Sequence, residues 1–163
     1  MLHKILIAIG DSPESAKVLE AGLILAEKFG AEISILHVLN LIRSGFEPAG
    51  NLFSGGSYPI MTDLAIREYQ RELQDCEKLG MERLQSYAAQ ANARQIKAEI
   101  FQNTGDPGRT ICDLAQKYVT DLIVMGRHQQ SVLSEIFLGS TSNYVLHHAP
   151  CSVMVIQQAW GSI

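Results

Sequence analysis

Along the chain, short runs that are apolar on both sides alternate with longer stretches whose apolar residues recur every three or four positions. The first run, KILIAIG (Lys4 to Gly10), has no polar face and ends in glycine, which predicts a strand inside a parallel sheet. Ser12 then reads as a helix cap and Pro13 as the first helical residue. Leu19, Leu23, Ala26 and Phe29 follow at helical spacing, and Gly30 ends that helix. EISILHVL (Glu32 to Leu39) predicts a second strand. From Asn40 to about Pro59 no period survives. Gly45, Pro48, Gly50, Gly55, Gly56 and Pro59 point there to a long flexible loop or lid.

A long helix is expected from about Thr62 to Ala93. Tyr69, Leu73, Cys76, Gly80, Leu84, Tyr87 and Ala91 lie on one packing stripe, opposite a charged face. KAEIFQN (Lys97 to Asn103) alternates like a third strand. Asp106 and Pro107 supply a cap and a first position for the next helix, with Ile111, Leu114, Ala115 and Tyr118 facing inward. DLIVMG (Asp121 to Gly126) reads as a fourth buried strand, Ser140 to His148 as a short helix stopped by Pro150, and CSVMVIQQ as a fifth strand. Strands alternating with helices predict an α/β fold: an open, five-stranded parallel sheet with helices on both faces. In such sheets ligands gather beyond the carboxyl ends of the strands, where the strand order reverses. The loops after Ile9, Val38 and Met125 belong to that edge.

Length and charge narrow the function classes. The chain has 163 residues, read as a single domain spanning 1–163, of which 47% are hydrophobic. Its net charge is −4 and its basic residues are scattered, so neither a nucleic-acid footprint nor a polybasic lipid-binding stretch is expected. The N-terminus reads as a strand rather than a signal peptide, and no apolar run approaches a membrane span. Cys76, Cys112 and Cys151 are odd in number and far apart. They are expected to be buried thiols in a reducing cytoplasm rather than a disulfide framework or metal site.

The candidate chemistry lies in GRHQQSVLSEIFLGST, Gly126 to Thr141. A glycine at the end of a buried strand, and a Gly-Ser-Thr opening a helix, suit phosphate binding. Backbone N–H groups at a helix N-terminus face an anion and the helix dipole favours it. Gly139, Ser140 and Thr141 can supply such groups. The residues that carry a family likeness are ILIAIGDSPES, ISILHV, GDP and DLIVMGRH…LGSTSNYVLHHAPCSVMVI, which together cover nearly the whole chain. On these the sequence resembles the universal stress protein family. The resemblance implies a Rossmann-like sheet of order 3-2-1-4-5 and a homodimer, which in many members pairs the last strands of two subunits. One branch of the family binds ATP through a glycine, two residues, a glycine, nine residues, then glycine and serine or threonine; another branch lacks the pattern.

Set against that pattern, Gly126 matches the first glycine, Arg127 and His128 fill the gap, and Gly139 and Ser140 match the closing pair. Gln129 stands where the second glycine belongs. If that position needs left-handed backbone, the Cβ costs ~1–2 kcal/mol, a roughly ten-fold loss of affinity. Gln129 and Arg127 can in turn offer an amide and a charge to phosphate. The family's Asp-Gly after the first strand is here Gly10-Asp11, so Asp11 either swings toward the nucleoside or caps the first helix. Ala8, Ile9 and the Val38 backbone match positions that line adenine, and Met125 lies beside the base or in the core. The resemblance thus implies a cytoplasmic regulator that binds ATP, ADP or AMP, with Mg²⁺ arriving on the nucleotide. The alternatives are a dimeric interaction protein of the same fold without nucleotide, and a weak ATPase.

Other signals are set aside. SGGSYP (Ser54 to Pro59) neither follows a strand nor opens a helix. His128, His147 and His148 lack metal-ligand spacing. His37 is expected to be a satisfied core or edge residue. Glu135 has no accompanying nucleophile, so no catalytic residue is assigned.

Overall fold

A computed structural model describes residues 1–39, 63–127 and 139–157. The expectations for the loop at about 40–60, for His128, for Gln129 and for Glu135 therefore fall outside the described residues. Among the described residues nine elements alternate: β1 (Lys4–Ile9), α1 (Ser15–Phe29), β2 (Glu32–Leu39), α2 (Asp63–Ala93), β3 (Ala98–Thr104), α3 (Pro107–Lys117), β4 (Leu122–Gly126), α4 (Ser140–His148) and β5 (Ser152–Ile156). The five strands form one sheet in the order β3-β2-β1-β4-β5. Every pairing is parallel. The α/β, Rossmann-like architecture expected from the sequence is therefore present.

The alternation of β1 sorts the core into two layers. Ile5, Ile7 and Ile9 face Leu19 and Leu23 of α1 and Leu84 and Ala91 of α2. Leu6 and Ala8 face Ile111 and Ala115 of α3 and Val145 of α4. Central strands covered on both faces need no polar side, which is why β1 and β4 read as unbroken apolar runs.

Helix termini explain most of the boundaries. Asp106 caps α3, its Oδ1 accepting the Arg109 N–H at 2.9 Å, with Pro107 opening the helix as expected. Gly30 closes α1 in the left-handed region at φ 64°. The start of α1 differs from the sequence expectation. Ser12 does not cap it: the Ser12 hydroxyl lies 3.3 Å from the Glu14 carboxylate, and the helix begins three residues later, at Ser15. A tight turn replaces the cap, since the Ser15 N–H donates to the Ser12 carbonyl (3.1 Å) and the Ala16 N–H to that of Pro13 (3.4 Å).

The stripe on α2 is also only half a packing stripe. Gly80, Leu84 and Ala91 are buried, whereas Tyr69 and Leu73 are half-buried and Cys76 is exposed. Length accounts for this. Thirty-one residues make a helix of roughly 46 Å, while the eight residues of β2 reach roughly 27 Å. The first half of α2 thus runs past the sheet. The expectation of three buried thiols is corrected accordingly: Cys112 is buried, Cys151 intermediate and Cys76 exposed. Burial pushes the Cys112 and Cys151 thiols up.

Candidate functional site

The connections that leave β1 and β4 diverge toward opposite sides of the sheet, because β1 is followed by its neighbour β2 and β4 by its neighbour β5. Divergence opens a crevice at their carboxyl ends. A cavity of about 510 Å³ lies there, within the size range of small-molecule and cofactor sites. Ala8, Ile9 and Met125 form its floor at the ends of the two central strands, and Val38 and Leu36 approach from β2. Gly126, Arg127, Gly139, Ser140 and Thr141 line the β4 side. Asp11 lines it as well, so ten of the eleven residues expected at a nucleotide site share one cavity, and the eleventh, Gln129, lies outside the described residues.

Close packing builds the β4 side. An added Cβ on Gly126 would come within 3.0 Å of Val18 Cγ2, so the first turn of α1 rests directly on the end of β4. The Ser142 hydroxyl donates to the Gly126 carbonyl at 3.4 Å, which brings α4 to the other side of the same residue. Gly139 is the N-cap of α4 and has no side chain with which to cap it. The first amides of a helix have no intrahelical acceptor. Those of α4 open beside the cavity wall formed by Gly139, Ser140 and Thr141.

The β2 side holds a carboxylate paired with a histidine and an arginine. Parallel register sets His37 beside Ile9, so the chain leaving β1 passes over the imidazole. His37 Nε2 donates to Asp11 Oδ1 at 2.9 Å. Arg83 from α2 donates to the same oxygen at 3.2 Å and to the Gly10 carbonyl at 3.0 Å. The His37 hydrogen bond holds the Asp11 carboxyl below the usual carboxylate range, and the Arg83 charge adds to this. Of the two roles open to Asp11 in the sequence, capping α1 is ruled out: the N-cap position is Glu14, and no side chain caps that helix. His37 is core, with 1% of its surface exposed, but it is not fully satisfied as expected. Its Nδ1 is buried without a hydrogen-bond partner among the described residues. Gly80 lies against it, since a Cβ there would sit 2.7 Å from Nδ1.

Sequence reasoning missed Arg83, Lys17 and Cys76. Lys17 and Cys76 line the cavity, while Arg83 reaches Asp11 over a separation of 72 residues, for which a single sequence holds no signal. Lys17 was legible in principle, because it falls in the first turn after a strand end at the binding edge. Among the described residues no group of three or more His, Cys, Asp or Glu could hold a metal ion, and no helix is long and apolar enough to cross a membrane.

A parallel sheet of this order, with a crevice flanked by a strand-end glycine and a Gly-Ser-Thr helix start, defines a Rossmann-like α/β fold. The profile of the universal stress protein family matches residues 1–157, and the chain belongs to that family. It is 31% identical to universal stress protein Sll1388 of Synechocystis over 94% of this chain and 97% of that one. It is 32% identical to universal stress protein YxiE of Bacillus subtilis over 96% and 100%. Among solved structures, protein MJ0577 superposes with a TM-score of 0.70 at 20% identity, covering 97% of both chains. An Arabidopsis thaliana family member with AMP bound gives 0.59 at 19% identity over 95% and 91%. The Archaeoglobus fulgidus universal stress protein in complex with dAMP gives 0.56 at 19% over 96% and 98%.

Proposed function

We propose that this universal stress protein binds an adenine nucleotide in the β1–β4 crevice and acts in the cytoplasm as a homodimeric regulator. One observation carries the reading: a cavity of about 510 Å³ joins the apolar strand ends Ala8, Ile9 and Val38 to the helix start at Gly139, Ser140 and Thr141. The first group offers a flat apolar floor and a backbone edge for adenine. The second offers amides, hydroxyls and a helix dipole to phosphate. Related structures with AMP and dAMP bound support the same ligand class here. Magnesium would enter on the nucleotide, held by its phosphates.

Dimerisation through β5 accords with its position at the sheet edge, where Met154 is 41% exposed. An apolar edge of this kind needs a cover. We assign no catalytic residue and treat ATP turnover as the competing reading.

Denaturing the purified protein and identifying any released nucleotide by mass spectrometry tests the reading, followed by titration of the nucleotide-free protein with ATP, ADP and AMP. Released or titrated adenine nucleotide is expected. Absence of binding at millimolar concentration refutes the proposal and leaves the interaction-protein alternative. Steady ATP turnover that disappears in Gly139→Val would favour the enzyme.

A further inference from the structure

We infer that Lys17 is a specificity-determining residue which reads the phosphates beyond the first and so selects ATP and ADP over AMP; the inference rests on the nucleotide reading above. Its basis is the division of the cavity into two electrostatic ends. On the β2 side, Asp11 is tied by His37 and Arg83. That end carries a carboxylate whose charge the Arg83 guanidinium balances, so neither group is left for phosphate. On the β4 side, α1 and α4 meet over Gly126, as the approach of Val18 Cγ2 and the Ser142 hydrogen bond show. Lys17 immediately precedes Val18 in that turn of α1, and it lines the same cavity as Arg127, Ser140 and Thr141.

The two helices offer an anion different things. At α4 the offer is backbone. At α1 the backbone is occupied, because the Ser15, Ala16 and Lys17 N–H groups donate to the carbonyls of Ser12, Pro13 and Glu14. Ser15 is occupied too, its hydroxyl donating to the Gly10 carbonyl at 2.7 Å while accepting the Gly10 N–H at 3.1 Å. What α1 has left for a ligand is the Lys17 ammonium, which makes no ion pair among the described residues. Glu14 lines the wall nearby, its carboxylate 3.3 Å from the Ser12 hydroxyl. A lysine is a compact charge on a flexible stem, suited to following a mobile phosphate tail rather than fixing one oxygen. The amides of α4 are consumed by the first phosphate they meet, whereas Lys17 can extend the grip outward. That role matters in a chain where Gln129 replaces a glycine of the phosphate pattern.

The test is titration of the full chain and of Lys17→Ala, Lys17→Arg and Lys17→Glu with ATP, ADP and AMP at two salt concentrations. Lys17→Ala is expected to weaken ATP binding about five- to ten-fold and AMP less than two-fold. Lys17→Glu should weaken ATP further, and Lys17→Arg should restore it. The wild-type preference for ATP should fall as salt rises. Lys17 is exposed, so all three variants should melt with the wild type. Wild-type binding of ATP that is unchanged in Lys17→Ala and Lys17→Glu overturns the inference while leaving the nucleotide reading intact. Equal losses for AMP and ATP overturn it as well, since the residue would then serve the first phosphate or the fold. A wild-type protein that binds no adenine nucleotide removes both.

Discussion

Gly80 is the point where helix packing and the β2 end of the cavity depend on the same missing side chain. In an exposed helix interior, Gly→Ala stabilises by about 1 kcal/mol, through lost backbone freedom in the unfolded chain. Here the new methyl would lie 2.7 Å from His37 Nδ1, 2.9 Å from His37 Cε1 and 2.6 Å from Gln102 Nε2. Gln102 can swing its amide away at the cost of its bond to the Glu77 carbonyl. The imidazole cannot: it is buried, and its far nitrogen is tied to Asp11 at 2.9 Å. Ordinary carbon contact needs ~3.5–4.0 Å, so α2 must lift by roughly 1 Å. Overpacking of that size costs ~1–3 kcal/mol, which exceeds the propensity gain and leaves Gly80→Ala destabilised by about 1 kcal/mol. For a chain of this length that is a fall of roughly 2–4 °C in Tm. In a His37→Ala background only the movable Gln102 amide obstructs, and Gly80→Ala should become neutral to stabilising by up to about 1 kcal/mol. Urea unfolding of the four proteins reads the cycle. The same effect in both backgrounds, or a more stable single variant, would refute the packing argument.

Four further outcomes follow from the same geometry. Val119 sits in the left-handed region at φ 52° with 75% of its surface exposed, so Val119→Gly should raise stability by about 1 kcal/mol in thermal melts. Asp106→Ala removes the α3 cap and should cost about 1 kcal/mol, read by urea unfolding. Asp11 has a lowered folded pKa, so its contribution is present above the unfolded carboxylate pKa and is lost as pH falls through the depressed value; Asp11→Asn should flatten the acid limb of a stability-against-pH profile below about pH 4, and an unchanged limb would count against the His37 and Arg83 bonds. Met154→Lys places a charge on the exposed edge of β5, and sedimentation should show a shift toward monomer if that edge is the dimer seam.

How much of this was legible in the sequence differs with the kind of signal each feature leaves. Gly30 announces the end of α1 because a left-handed residue there is most cheaply glycine. The ends of α2 and α3 use the same geometry without that mark. Gln95 and Val119 adopt φ of 61° and 52°, and the next residues close the turns, Ile96 N–H to the Ala91 carbonyl (3.0 Å) and Thr120 N–H to that of Ala115 (2.9 Å). Packing imposes the conformation, so no local residue type discloses it. The start of α1 misled for the opposite reason: Ser12-Pro13 carries a good cap signal, yet the turn through Ser12 and Glu14 satisfies those amides with backbone carbonyls instead.

The candidate site divides along the same line. Its β4 side was legible because one contiguous stretch, Gly126 to Thr141, supplies both walls, and spacing within a stretch survives in sequence. Its β2 side is made by contacts across 26 and 72 residues, His37 and Arg83 onto Asp11. Reversal of the family's Asp-Gly to Gly10-Asp11 left two local roles open, and the structure shows a third arrangement in which neighbours from β2 and α2 hold the carboxylate. A carboxylate paired in this way with Arg83 is less available to Lys17 across the cavity, and Arg83 is spent on it rather than on a phosphate chain. The division of roles between the two ends of the crevice therefore depends on His37 and Arg83, residues that lie outside every phosphate motif in the chain.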